Sequence, residues 1–142
     1  MMKRLLHCTR ASAAVEAAIF APIFLLMTLG ITDVGTGIFV RMAVSVASQA
    51  GAAYAVVNSG STCSTMTSAC LNGIKATMNG ASGNGAFCTA TTCTASIAAC
   101  ADGAPKCVTV SASYQFNPLL PDALYGWARS NAISSTTTIR FL

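Results

Sequence analysis

Hydrophobic positions run unbroken by charge from Ala17 to Ile31, then thin into a three- and four-residue repeat that ends near Val57. With SAAV before it and Thr32 after it, the uncharged run reaches about the 20 residues that a helix needs to cross hydrocarbon. Beyond Asp33, the residues Ile38, Phe39, Met42, Ala43, Val46, Ala50, Ala53, Tyr54 and Val57 recur at helical spacing, while Thr36, Arg41, Ser45, Ser48 and Gln49 fall mainly on other faces. The pattern predicts one helix from about Ser12 to Val57, roughly 70 Å long at 1.5 Å per residue. Its first half lies in lipid and its second half packs through that stripe. Asn58, Ser59 and Gly60 supply the stop.

From residue 58 to 106 the chain changes to Ser, Thr, Ala, Gly and Cys, with Asn-Gly pairs at Asn72, Asn79 and Asn84. Such pairs mark tight turns, and NGASGNGAF reads as a loop. It is no phosphate cradle, because neither a preceding strand nor a following helix with a lysine accompanies it. CVTVSASYQF, residues 107–116, alternates strictly, with Val108, Val110, Ala112, Tyr114 and Phe116 on one face and Thr109, Ser111, Ser113 and Gln115 on the other. NPLLPDALYGW breaks that strand at Pro118 and Pro121, and its Leu119, Leu120, Leu124, Tyr125 and Trp127 are expected to close one edge of a small core. AISSTTTIRFL is rich in β-branched residues and predicts a second, antiparallel strand. The expected class is therefore α+β: a long N-terminal helix packed on a small antiparallel sheet, with a disulfide-rich turn region. Three segments follow: a basic leader (1–11), the helix (12–57) and a cysteine-rich head (58–142).

Charge orients this arrangement. Only 8% of the 142 residues are charged, and the formal net charge is +4. Lys3, Arg4 and Arg10 precede the apolar run, so the positive-inside rule keeps the N-terminus cytoplasmic and sends the head outward. The other basic residues, Arg41, Lys75, Lys106, Arg129 and Arg140, are scattered and form no face for a phosphate backbone, which argues against a nucleic-acid partner. A secretory signal peptide shares the basic and apolar regions, but no small-x-small cleavage site follows Ile31 and the helical pattern continues.

Of seven cysteines, Cys8 precedes the apolar run, while Cys63, Cys70, Cys88, Cys93, Cys100 and Cys107 follow it. Export leaves the odd thiol in the reducing compartment and an even set in the oxidising one, which predicts three disulfides of unreadable connectivity. Their spacing is wider than that of zinc knuckles and no histidine follows His7, so neither a metal nor another cofactor is expected. Asp102 and Asp122 are the head's only carboxylates beyond the helix, Lys75 and Lys106 are isolated, and a Ser-His-Asp triad has no histidine to use. The head reads as non-catalytic.

One residue fits the apolar run badly: Glu16 stands at its head. Spacing alone admits two readings. Either the carboxylate meets a positive partner inside an assembly, since an intramembrane charge is a functional hypothesis by default, or it sits at the headgroup boundary near Arg10, favoured by the helix dipole. Asp33 and Arg41 are read as marking where the helix leaves lipid, ahead of a contact between packed subunits; Pro22 either kinks the span or frees a carbonyl for packing, or is simply a tolerated membrane proline.

Residues 11–56, ASAAVEAAIFAPIFLLMTLGITDVGTGIFVRMAVSVASQAGAAYAV, resemble the TadE-like pseudopilins of tight-adherence (Flp-type) pili. Glu16, Asp33, Gly35, Arg41, Gly51, Ala52, Tyr54 and Ala55 match that pattern, and the NPLLP and Ser/Thr-rich stretches resemble the family's C-terminal part more loosely. The resemblance implies a minor pilin taking part in pilus assembly and surface adherence. It implies cleavage by a prepilin peptidase between Ala11 and Ser12, which makes Glu16 the fifth mature residue and favours its role in assembly and register. The family has Gly before the cut and an aromatic after the Glu, where this chain has Ala11 and Ala17. The implied partners are the peptidase, other pilin and pseudopilin subunits, an inner-membrane assembly platform and the bilayer. The implied location is the bacterial inner membrane, single-pass, with the C-terminus periplasmic and passage into an extracellular pilus. The alternative is an uncleaved single-pass envelope protein whose disulfide-rich head binds another component.

Overall fold

The computed structural model describes residues 3–83, 85, 87–100, 106–117, 119 and 132–141, with 3–12 and Ala90 described by backbone alone. The elements are α1 (Lys3–Val57), α2 (Ser68–Ala81), α3 (Phe87–Ala90), β1 (Thr92–Ala98), β2 (Cys107–Gln115) and β3 (Ala132–Arg140). This is the expected α+β arrangement of a long helix on a small antiparallel sheet. Helix α1 starts at Lys3, ahead of the expected Ser12, because KRLLHCTRASA contains neither Gly nor Pro to stop it. It also runs through Pro22 without interruption.

The sheet has strand order β1-β2-β3 with both pairs antiparallel. Strands β2 and β3 were legible, whereas β1, TCTASIA, was not: its inward positions Cys93, Ala95 and Ile97 include one large aliphatic side chain, too little for a visible alternation. Val108, Val110 and Ala112 of β2 are fully buried, and Thr109, Ser111 and Ser113 face outward as the alternation predicts. The register aligns Thr92, Ser113 and Ser134, then Thr94, Ser111 and Thr136, then Ser96, Thr109 and Thr138, so hydroxyls line the outer face. Two of these rows close across β2 and β3, Thr109–Thr138 at 3.1 Å and Ser111–Thr136 at 2.9 Å.

The inner face packs on α1, but not through the expected stripe. Ile38, Phe39, Met42, Val46 and Val57 are exposed, Phe39 at 70% and Met42 at 63%. The buried face is instead Val44, Ala47, Ser48, Gly51, Ala52 and Ala55. Side-chain size explains the inversion, because small residues let a helix approach its neighbour closely. At Gly51 a Cβ would stand 2.8 Å from Met78 Cγ, and at Gly73 it would strike the Tyr54 ring. The two glycines are thus the contact points at which α1 and α2 pack together.

Residues 58–106 are more ordered than their composition suggests. Asn72-Gly73 lies within α2 rather than in a turn, and Asn79-Gly80 in its last turn. Thr67 caps α2 by accepting from the Cys70 N–H at 3.2 Å. Ile74 and Met78, four residues apart, put one face of α2 into the core. Asn79 Oδ1 accepts from the Cys88 N–H at 2.7 Å and holds the short α3. The six cysteines after the long helix pair in sequence order as Cys63–Cys70, Cys88–Cys93 and Cys100–Cys107, with Cα separations of 5.0, 5.4 and 5.1 Å. Each closes a short loop: the first joins the turn after α1 to α2, the second joins α3 to β1, and the third closes the β1–β2 hairpin. Of the segment expected to seal the core edge, Leu119 is 70% exposed and so does not do so. Pro118, Leu120, Pro121, Leu124, Tyr125 and Trp127 lie outside the described residues, as do Asp102 and Asp122.

Candidate functional site on the long helix

Uncovered helix is the molecule's dominant surface feature. From Ala13 to Thr36 every position of α1 is exposed except Gly30, which is half-covered, and Asp33, which is 4% exposed. Val15, Ile19, Phe20, Ile23, Phe24, Leu25, Leu26 and Met27 point outward around the whole circumference. By length and composition this helix is able to cross a membrane. An apolar surface of this extent marks a membrane or protein contact. The hydroxyls within it turn back on their own helix: Thr28 Oγ1 donates to Phe24 O or Leu25 O (3.1 and 2.9 Å), Thr32 to Thr28 O (2.8 Å), and Thr36 to Thr32 O or Asp33 O (3.0 and 2.9 Å). Back-bonded threonines satisfy themselves without water, as a helix in hydrocarbon requires.

Glu16 projects from this surface, exposed, where the sequence placed it. Ala11 and Ser12 lie in the same continuous helix. Glu16 and Asp33 are about 26 Å apart along the axis at ~1.5 Å per residue. They therefore bracket a length close to the hydrocarbon thickness of about 30 Å.

Asp33 has a partner in the head. Its Oδ1 accepts the Leu119 N–H at 2.9 Å, across most of the chain. Four residues on, the Phe116 ring comes to 3.9 Å from where a Cβ on Gly37 would stand. The connection leaving β2 thus runs down α1 and touches it at Gly37 and Asp33. Local sequence gives no signal for this pairing, since an acid at a lipid boundary needs no partner to explain it. Arg41, the other charge noted there, is exposed.

Ser48 is the second site that periodicity missed. Assigned to a polar face, it is fully buried, with its Oγ 2.9 Å from Ser45 O, 3.0 Å from Ser135 Oγ and 2.9 Å from Thr137 Oγ1. The trio fixes α1 against β3. Among the described residues no three His, Cys, Asp or Glu side chains converge where a metal ion would sit.

Residues 11–53 match the family model described as TadE-like protein. The matched stretch holds Glu16, the uncovered run, Asp33 and the small-residue face as far as Ala52, and it ends before the cysteine-rich head. No curated protein and no solved structure matches the chain.

Proposed function

We propose that this chain is a minor pilin, or pseudopilin, of a tight-adherence (Flp-type) pilus, embedded in the bacterial inner membrane by the first half of α1 and carrying its head on the periplasmic side. The TadE-like match over residues 11–53 carries this reading. It spans the uncovered half of the helix and most of the small-residue face that packs on the head. The chain acts without catalysis and is itself the substrate of a prepilin peptidase, a membrane enzyme that cuts between Ala11 and Ser12 on the cytoplasmic side. Alanine before the cut is nearly as small as the family's glycine, so the scissile bond stays accessible.

Cleavage removes Lys3, Arg4 and Arg10, leaving five basic and four acidic residues. It also creates an α-amine one helical turn from Glu16. In a filament, the amine of one subunit pairs with Glu16 of its neighbour, which neutralises a carboxylate that costs several kcal/mol to hold in a low-dielectric interior alone. The pairing sets the axial register between subunits. The open face at Ile38, Phe39, Met42 and Val46 supports assembly with other pilins and pseudopilins, since it keeps an apolar surface available at the level of the head. Growth at an inner-membrane platform moves this helix from lipid into the filament, from which the head contributes to surface adherence.

The test is the intact, non-reduced mass of protein extracted from membranes that contain an active prepilin peptidase. A chain beginning at Ser12, lighter than the all-thiol form by the six hydrogens that three disulfides remove, is expected. A chain that keeps Met1 or Met2 while the peptidase cuts a control pilin removes the mechanism. The protein is then better read as an uncleaved single-pass envelope protein with a binding head.

A further inference from the structure

We propose that Leu119 is a foot set on the membrane: held to α1 by the Asp33 carboxylate, it seats in the outer leaflet where the helix emerges. This rests on reading the first half of α1 as a membrane span.

The position of Asp33 is the first ground. It is the single buried residue between Ala13 and Thr36, with Gly30 half-covered three residues below it, so among the described residues this stretch of helix is covered along one side around Asp33. That place is about 10 Å below Val40, the first core-packed residue of α1, at ~1.5 Å per residue. It is also where the span must end if Glu16 lies at the inner boundary. The descent is stepwise: Phe116 lies against Gly37, and one turn lower the Leu119 N–H meets Asp33. A covered carboxylate that accepts a backbone N–H is tolerated at the edge of hydrocarbon, where a bare one is not.

The exposure of Leu119 is the second ground. The backbone of Leu119 is fixed while its side chain is 70% exposed. Around the same level Leu29, Ile31 and Val34 of α1 are exposed too, so the patch is continuous with the apolar span rather than isolated on a wet surface. Lipid is therefore the occupant that fits it. Asp33 acts here as a positioning residue and sets how deep the head rests.

The test uses full-length Trp127→Phe protein in dilute phosphatidylcholine vesicles, with one tryptophan introduced by Leu119→Trp, Phe24→Trp or Thr94→Trp. Lipids brominated near the headgroups are expected to quench the residue at 119, placing it about 5–10 Å into the headgroup and acyl boundary. Lipids brominated deep in the chain should quench position 24, and neither should quench position 94 on the outer sheet face. Adding Asp33→Ala should abolish quenching at 119 and spare position 24. Asp33→Asn, whose amide oxygen accepts the same N–H, should retain it.

Quenching at 24 without quenching at 119 overturns the proposal and leaves the span standing. Loss of quenching at 24 shows instead that the membrane reading is wrong. A residue at 119 shielded from both bromolipid and aqueous acrylamide belongs to a subunit contact, which also overturns the proposal. Photocrosslinking from benzoylphenylalanine at 119, with Trp127 kept, gives an independent reading. Lipid adducts support the foot, and protein adducts alone refute it.

Discussion

The two halves of α1 are both apolar, yet they meet their surroundings in opposite ways. The lower half turns bulky side chains outward on all sides and, among the described residues, is buried only at Asp33 and half-covered at Gly30. The upper half has two faces: a small one, through Ala47, Ser48, Gly51, Ala52 and Ala55, buried against α2 and the sheet, and a bulky one, through Ile38, Phe39, Met42 and Val46, left open. Hydrophobicity alone does not separate these faces; apart from the fully buried Val44, size does. Contacts inside the subunit are made where backbones approach closely, and that requires Gly, Ala and Ser. The bulky residues are kept for partners that adapt to them, whether lipid or a neighbouring helix.

The sharpest way to break this comparison is to truncate one large side chain on each side of it. Ile74→Ala removes a buried side chain that packs over Gly51, so it should destabilise the head by about 2–5 kcal/mol. Phe39→Ala, on the open face, should shift subunit stability by no more than about 0.5 kcal/mol. Urea unfolding in micelles, followed by near-ultraviolet circular dichroism, measures both. Equal losses would mean that the open face is packed in the isolated subunit and that the two faces have been misassigned.

Small-residue packing buries little apolar area per contact, which leaves the head dependent on its crosslinks. Loops as short as those here give about 2 kcal/mol per disulfide in the chain-entropy account. Replacing Cys100 and Cys107 together by serine should therefore lower head stability by about that amount and open the β1–β2 hairpin. The helical signal of the lower half of α1 should survive unchanged, because no disulfide touches it. Far-ultraviolet circular dichroism alongside the same urea series separates the two effects.

How much of this was legible follows the same division. The lower half was readable as one continuous helix because its apolar run is long and unbroken by charge between Glu16 and Asp33. Strand β2 was readable because Val108, Val110 and Ala112 alternate with hydroxyls. The six cysteines after the apolar run foretold three bridges, although spacing cannot pair them. What escaped was chemistry made of small side chains: β1 with its Cys-Ala-Ile face, α2 hidden behind Asn72-Gly73, and the packed face of α1 itself. Periodicity weights large aliphatics, and here the largest ones point away from the core. The Asp33–Leu119 bond escaped for another reason. It joins residues whose local patterns are each already explained, so nothing in either stretch asks for the other.

The smallest expected effect tests whether polar groups follow the same rule. Thr28 lies in the uncovered half and bonds only to its own helix, so Thr28→Ala should leave stability within about 0.5 kcal/mol of the parent. Ser48 lies in the buried half and has one hydroxyl proton. When that proton goes to Ser45 O, the oxygen accepts from both Ser135 and Thr137. Ser48→Ala strands those two hydroxyls at the helix–sheet contact and should cost about 1 kcal/mol, by the usual worth of such bonds. Adding Ser135→Ala and Thr137→Val removes the stranded groups and should recover most of the loss, because replacing all partners with apolar ones is close to neutral. If the triple variant is instead worse than Ser48→Ala by more than about the sum of independent effects, the trio contributes through its packing shape rather than its hydrogen bonds. The small face of α1 would then depend on close fit at Ser48 as it does at Gly51.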